Sequence, residues 1–544
     1  MQKKYDEYQD TVPFATNECS EGLCSVNTTL SSLQEVITVY LKKLAFYLNR
    51  LNKYGIRKDS AKYIVMYALF NVMTNADYRQ NDFCLILKKL NDTISQAKHI
   101  YEEKCIEEGI SPERLKTYLK TNENISIPDA IKKGEKYSLK KLQAYTSEQK
   151  DFLDIIMILL KSITIRLIET YRLGKECSEY FYGVISLLDA LNFLNYSEKT
   201  AKLAIHNGIE TYYDITKLLH ATKREIYGEI KPTEVSLSTR PGKAILVSGY
   251  DFKKLEDILE ATKNKDIDIY THGSEMLMSH AFKNFSKYPN FRGHYGFGIG
   301  ASLIDFATFP GAIIMTKSTI QKMEILYRGR LFTLDPIPPM GVVGLKDDDL
   351  SLLIKSAQSA KGFSKGQIRP SIKVGYDEKI LRDKVKEVCD KVKSGKIKHI
   401  FIVGLINFPN YDKEYFKELI ENIPDDCFAF SLCYPVQAGN IFHIKSFYDY
   451  SLAEMLLASF EANLPLGEMP LTVFVANCDS YTISNLLYLK YKKIKNIFMS
   501  NCSPYLINPS IINRFRTTYD IKEITTPNED LKISLGKDFK PQKE

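Results

Sequence analysis

The 544-residue sequence predicts an α plus α/β protein, with N-terminal tandem helical bundles followed by two parallel α/β domains. Apolar residues recur at helical spacing from residue 33 to residue 219. At residue 244 the period changes, and short β-branched runs begin to alternate with helical stretches. Residues 243–277 then read as strand, helix, strand: 244–248 is an apolar run closed by Gly249, Phe252, Leu255, Ile258 and Leu259 keep helical spacing, and 267–271 is a second run closed by His272 and Gly273. A right-handed unit of this kind makes the two strands parallel and buried.

In the first half, Leu33, Val36, Ile37, Tyr40, Leu41, Leu44, Leu48 and Leu51 form a helical stripe that stops at Gly55. Tyr63, Ile64, Tyr67 and Ala68 mark a second helix, and Phe83, Ile86, Leu87, Leu90, Ile94 and Ala97 a third. The arrangement recurs: a long apolar helix over 152–173 ends at Gly174, followed by helices over 180–194 and 215–219. The polar, lysine-rich segment 107–147 reads as linking structure. In the second half, strand-like runs at 312–316, 400–404, 428–432, 471–476, 497–500 and 521–525 alternate with helical stretches at 415–423, 452–462 and 483–490. Glycine and lysine richness over 356–375 marks the boundary between two such domains. The predicted division is 1–228 helical (two three-helix bundles), 229–365 first α/β domain and 366–544 second α/β domain, both Rossmann-like.

Composition excludes several classes. Hydrophobic residues make up 44% and charged residues 26%, ordinary for a globular protein, and the net charge of +8 is spread thinly. No basic stripe interleaved with aromatics appears, so no nucleic-acid partner is expected. The cluster Lys490, Lys492, Lys493 and Lys495 reads as a solvated turn. The most apolar window, 152–168, is interrupted by Asp154, Lys161 and Arg166 and reads as a buried helix, not a membrane span. The opening MQKKYDEYQD lacks the apolar core of a signal peptide, and ten scattered cysteines suit a reducing compartment, so cytoplasmic synthesis is expected.

Ligands of open parallel sheets sit beyond the carboxyl ends of the strands, which makes Tyr250 and His272 to Glu275 the first place to look for chemistry. The glycine-rich run 293–300 has the look of a dinucleotide loop, but no strand is evident before it and no acidic residue follows at ribose distance. Close backbone packing is the expectation there.

ILVSGYD, DIYTHGSEML, KYPNFRGHYG, FPGAIIMT, KHIFIVG, IPDDC, MPLTVFVAN, IKNIF and ITTPNEDL, in this order and spacing, resemble the hybrid cluster protein family, also called prismane protein or hydroxylamine reductase. The helical half and its exit YGEIKPTEV are similar too, so the resemblance covers essentially the whole chain. It implies the fold shared with carbon monoxide dehydrogenases and the reduction of hydroxylamine or nitric oxide. It also implies a hybrid iron–sulfur–oxygen cluster on one histidine, two glutamates and four cysteines, and a cubane cluster on four cysteines near the N-terminus.

Carried over by position, the histidine becomes Tyr250, and the first glutamate, displaced by Ser274, survives as Glu275. The four cysteine positions fall on Thr319, Ile406, Tyr434 and Ser446, with Cys433 one place out of register, and the second glutamate becomes Asp479. At the N-terminus Tyr5 and Tyr8 replace one cysteine pair, leaving Cys19 and Cys24. Fe–S bonding needs soft thiolates, so these departures lead to the expectation that neither cluster binds, that no cofactor is present and that the chain is a non-catalytic relative. A structural or interaction role is then expected, such as a self-assembling coat or lattice component, with protein partners or a homo-oligomer. The alternative is a hydroxylamine or nitric oxide reductase-type oxidoreductase with altered metal content, or a new small-molecule activity in the same crevice. Tyr250, His272, Glu275, His280, Asp479 and Cys433 are the oxygen, nitrogen and sulfur donors that such a site would draw on.

Overall fold

The computed structural model describes residues 28–72, 80–115, 125–144, 146–193, 198–296, 302–316, 326–335, 338–339, 341–346, 349–405, 413–432, 439–444, 450–476, 480–500 and 509–536. Helix α1 (Thr28–Lys53) buries the whole predicted stripe from Leu33 to Leu51 and ends where Gly55 takes a left-handed φ of 74°. It packs with α2 (Lys62–Val72), α3 (Gln80–Glu107) and α4 (Ile127–Ala144). Helix α4 corrects the reading of 107–147 as linking structure. Its buried Ala130 and Gly134, flanked by Ile127 and Ile131, keep helical spacing, and a Cβ at Gly134 would overlap the Ser32 carbonyl. Small residues allow this close approach but give a weak hydrophobic signal.

The second bundle is built on α5 (Ser147–Arg172), with α6 (Ser178–Ala190) and α7 (Glu198–Tyr227). A reciprocal capping box between Thr146 and Gln149 starts α5, and nearly every side chain from Asp151 to Thr170 is buried. Such a helix is apolar all round because neighbours cover every side. Here α7 packs on it from the same bundle, and α15 (Ser480–Tyr491) and α16 (Pro509–Thr518) from the C-terminal region.

Beyond the helices stand two six-stranded sheets, every strand parallel to its neighbours. The first runs β4 (Phe291–Gly296), β3 (Ile267–His272), β2 (Lys243–Ser248), β5 (Ala312–Met315), β6 (Leu331–Thr333), β7 (Val343–Gly344). The second runs β11 (Ile441–His443), β10 (Cys427–Ser431), β9 (His399–Leu405), β12 (Leu471–Val475), β13 (Asn496–Met499), β14 (Ile521–Glu523). Both orders reverse direction at the first-formed strand, so each sheet has a switch point, between β2 and β5 and between β9 and β12. A separate antiparallel pair, β1 (Thr233–Ser236) with β8 (Ser371–Val374), ties the entry of one α/β region to that of the next. One contiguous apolar core joins the helices to one face of each sheet, with separate cores on the opposite faces.

Segment 291–296 is a strand, β4, where none was expected. Its glycines hid it from a period-two reading, and they serve packing: a Cβ on Gly293 would overlap the Ser236 carbonyl and one on Gly296 the Asp305 carboxylate. Among the described residues no helix is long and apolar enough to cross a membrane.

Candidate active-site crevice

The carboxyl ends of β2, β3, β4 and β5 collect polar groups. After β2 come Gly249, Tyr250 and Asp251, which leads into α8 (Phe252–Thr262). Gly249 has φ 121°, and a Cβ on it would overlap the Thr316 hydroxyl just beyond β5, so only glycine lets the two strand ends converge at the switch point. Tyr250 is buried, and Asp251 both caps α8, accepting from the Lys254 amide at 3.0 Å, and pairs with Arg172 of α5 at 2.8 Å.

After β3 the chain turns through Gly273 into the short helix α9 (Ser274–Met278), which carries Glu275. Glu275 Oε1 lies 2.8 Å from Arg166 Nη1; the Arg166 side chain is 1% exposed and that of Glu275 is 18%. Arg166, Glu169 and Arg172 are three residues apart on α5 and therefore share a face. Glu169, 1% exposed, pairs with Lys223 of α7 at 2.7 Å. One turn before Lys223, His220 makes a close contact with Glu454 of α14 (Tyr450–Glu461). Burial pushes the Glu169 carboxyl up to about 7, against the pull of Lys223, and the nearby Glu275 charge pushes the same way. Burial acts on Glu275 too, yet Arg166, Lys223 and His220 outweigh it and hold that carboxyl below its usual range. Two carboxylates in one pocket are thus separated, one kept ionised and one able to carry a proton near neutrality.

The histidines are engaged elsewhere. His272 Nδ1 lies 3.1 Å from Ser248 Oγ on the adjacent strand and its Nε2 3.4 Å from Asp305 of α10 (Ser302–Thr308), with Phe306 against the ring. Thr271, facing the other side of the sheet, bridges His280 at 2.9 Å and His294 at 2.8 Å. Burial lowers all three imidazoles, His280 to about 3. They are neutral side chains fixed by hydroxyls. Among the described residues, no three of His, Cys, Asp or Glu stand together in metal-holding geometry, so the structure does not join His272 and His280 to Glu275 as one ligand set.

Of the positions matched to cluster ligands, Tyr250 and Glu275 are described, at the ends of adjacent strands. Thr319, Ile406, Tyr434, Ser446 and Asp479 lie outside the described residues, as do Cys433 and, at the N-terminus, Tyr5, Tyr8, Cys19 and Cys24. The two described donors fit an oxygen-ligated part of a metal group: Glu275 is ionised, the state a carboxylate ligand needs. In the sequence, thiols also follow three strands of the second sheet. Cys433 is two residues past β10, Cys478 three past β12 and Cys502 three past β13.

Arg166, Glu169, Lys223 and His220 were not singled out from the sequence as site residues. The available signal was the charge itself. Arg166 interrupts the most apolar window of the chain, and a charge placed where everything around it is buried needs a partner across the interface.

Two doubly wound parallel sheets packed with helical bundles, with polar side chains gathered at the carboxyl ends of the first sheet's strands, define a multidomain α plus α/β protein. The profile of the Prismane/CO dehydrogenase family matches residues 13–433, and the chain belongs to that family. It is 29% identical over 535 residues to a hydroxylamine reductase of Solidesulfovibrio magneticus, covering 95% of this chain and 97% of the relative. It is also 29% identical over 543 residues to a hydroxylamine reductase of Thermodesulfovibrio yellowstonii (95% and 98%), and 27% over 547 residues to one of Methanocella arvoryzae (95% and 97%).

These relationships overturn the expectation of a non-catalytic, cofactor-free framework or coat component. The relatives that match from end to end are reductases, and the family is one of cluster-bearing proteins. The earlier expectation came from assigning single residues to ligand positions in strand-end segments interrupted by an insertion at Ser274 and a deletion near Ser446.

Proposed function

We propose that the protein is an oxidoreductase of the hydroxylamine reductase type, working in the crevice at the carboxyl edge of the first sheet with altered metal ligation. The observation that carries this reading is the end-to-end relationship to hydroxylamine reductases, 95% of this chain against 97% of one such relative. The crevice adds chemical support. Reduction of hydroxylamine breaks the N–O bond, takes two electrons from an external one-electron donor and two protons, and releases ammonia and water. A metal group would supply the electrons and the binding position for the small substrate. The chain's own residues supply an ionised oxygen donor in Glu275, a proton-bearing carboxyl in Glu169, and helix packing that keeps water out. Tyr250 and Glu275 are the described residues that would hold such a group in this reading.

The test is anaerobic purification of the full chain, iron and acid-labile sulfide analysis, and assay of hydroxylamine with reduced methyl viologen as donor. Iron-bearing protein that oxidises viologen only when hydroxylamine is present, with ammonia formed, is the expected result. Protein that holds iron but ignores hydroxylamine would move the activity to another small substrate, and protein that holds no iron after reconstitution would end the reading.

A further inference from the structure

The chain carries 35 tyrosines and no tryptophan, so its phenols are the aromatic side chains that give up an electron most readily. Tyr63 and Tyr67 meet at 49°, and Tyr47 and Tyr101 at 54°. Tyr213 and Tyr488 are arranged differently. Their ring centroids lie 4.4 Å apart, the planes are within 9° of parallel, and the two hydroxyls are hydrogen-bonded to each other. With the oxygens joined and the rings face to face, the ring carbons ortho to each oxygen are neighbours as well.

The pair sits in the seam between α7 and α15. His206, Glu210 and Tyr213 are spaced by four and three residues on α7, and Asn485 and Tyr488 by three on α15, so each set shares a helix face. The Asn485 amide donates to the Tyr212 hydroxyl at 3.3 Å. Tyr491 packs edge-on against His206, and its hydroxyl donates to Glu210. Just past α15, Lys492 Nζ stands 5.4 Å from the Tyr213 centroid and 5.8 Å from that of Tyr488, anchored by Glu461 at 3.0 Å. An ammonium shared by two ring faces holds both in place. Tyr488 is buried and Tyr213 half-buried, so the stack meets solvent through Tyr213.

We propose that Tyr213 and Tyr488 are an oxidative modification site, coupled ortho carbon to ortho carbon into a dityrosine that staples the second helical bundle to the C-terminal α/β region. The oxidant is of the peroxide-activated haem class, which removes one electron at a time. Each phenol loses one electron and its hydroxyl proton, giving two phenoxyl radicals. Their ortho carbons join through the two unpaired electrons, and the two ring hydrogens displaced there return to the oxygens. The pair loses two hydrogens in all, and one hydrogen peroxide takes them to become two waters. The fold selects the partner, because a radical on Tyr213 already touches the ring it must couple with. This site is independent of the hydroxylamine reductase reading.

The test treats the dilute full chain with hydrogen peroxide and a haem peroxidase, then maps the protease fragments of the monomer by mass spectrometry. The expected product joins the fragments carrying Tyr213 and Tyr488, two hydrogens lighter than their sum, with dityrosine fluorescence in the intact monomer. Tyr213→Phe and Tyr488→Phe, which keep the ring and remove the hydroxyl, should each lose the product, while Tyr63→Phe retains it. The treated wild type should also unfold at higher urea than the untreated, a shift absent from treated Tyr488→Phe, because the link closes a long loop in the unfolded chain. Free tyrosine that couples in the same mixture while the protein forms no such link overturns the proposal. So does a link that persists in Tyr213→Phe, or one that joins Tyr63 to Tyr67 or one copy to another instead. Should a variant fail to fold, the fragment map of the wild type still identifies the joined residues.

Discussion

Arg166 Nη1 lies 2.8 Å from Glu275 Oε1, joining the centre of a buried helix in the first half of the chain to the turn that follows a strand of the first sheet. The contact places a permanent cation against a partly exposed carboxylate in the turn after β3. Replacing Arg166 by Met would strand that carboxylate beside Glu169 with only Lys223 left to balance two acids. Breaking such a buried pair costs on the order of 3 kcal/mol, whereas removing both partners is far milder. Urea unfolding should therefore rank Arg166→Met well below the wild type and Arg166→Met/Glu275→Gln between them. Equal midpoints for the single and double variants would deny the pairing any energetic role.

Glu169 gives the protein a stability slope of unusual sign. Its carboxyl is raised in the folded chain relative to about 4.3 in an unfolded one, so the folded state binds more protons between those values. The stabilising contribution is complete below about pH 4.3 and is lost as pH rises through about 7. Chemical denaturation from pH 5 to pH 8 should show this fall in the wild type, and Glu169→Gln should flatten it. A slope identical in both proteins would assign the effect elsewhere.

How far the sequence reveals these features depends on what each one needs from the rest of the molecule. The stripe from Leu33 to Leu51, the strand ends at Gly249 and Gly273 and the alternation after residue 244 were legible, because burial imposes a period on the chain itself. Helix α4 and strand β4 were not. Ala130, Gly134, Gly293 and Gly296 fit by having little side chain, and small residues have little hydrophobic signal. The quartet of Arg166, Glu169, Lys223 and Glu275 was invisible for another reason. Its members are spread over more than a hundred residues, and only tertiary packing makes neighbours of them. The expectation of lost function rested on residue identity at single strand-end positions, and the end-to-end agreement with reductases overturns it.

The three histidines on β3, β4 and the turn after α9 impose the opposite slope on the acid side. All are depressed by burial, His280 to about 3, so the unfolded chain binds protons first, beginning near pH 6.5. Their contribution is complete above that pH and is lost as pH falls toward the folded values. His280 alone accounts for a loss of about 3 kcal/mol by pH 4, at about 1.4 kcal/mol for each pH unit. Replacing His280 by Gln removes this part of the acid sensitivity, which denaturation at pH 4 and pH 7 would reveal as a smaller difference than in the wild type.

Thr271 is the hinge of that histidine arrangement. One hydroxyl meets His280 at 2.9 Å and His294 at 2.8 Å; Thr271 and His294 are buried and His280 is half-buried. Thr271→Val keeps the shape and removes the hydroxyl, leaving two imidazole nitrogens to pay the desolvation of an unmade hydrogen bond, about 1–3 kcal/mol. The Thr271→Ser variant retains the hydroxyl and should recover most of the loss. Thermal unfolding of the pair separates the hydrogen bonds from the packing, since a Ser variant as weak as the Val one would credit the methyl group instead.

Gly249 offers the most direct link between backbone geometry and the crevice. Its φ of 121° is a conformation that side chains rarely adopt, and a Cβ there would overlap the Thr316 hydroxyl across the switch point. Gly249→Ala must therefore carry backbone strain of about 1–3 kcal/mol and push the ends of β2 and β5 apart. Tyr250 and Asp251 follow at once, so the displacement passes to the capping bond from the Lys254 amide to Asp251 and to the Arg172 pair at 2.8 Å. Trimming the neighbour in Gly249→Ala/Thr316→Ala relieves the overlap but not the φ. The single variant should lose both stability and hydroxylamine reduction, and the double variant should recover part of the activity while retaining the backbone cost. If relief of the overlap restores nothing, the closeness of the two strand ends has no bearing on the crevice, and the strain at residue 249 acts on folding alone.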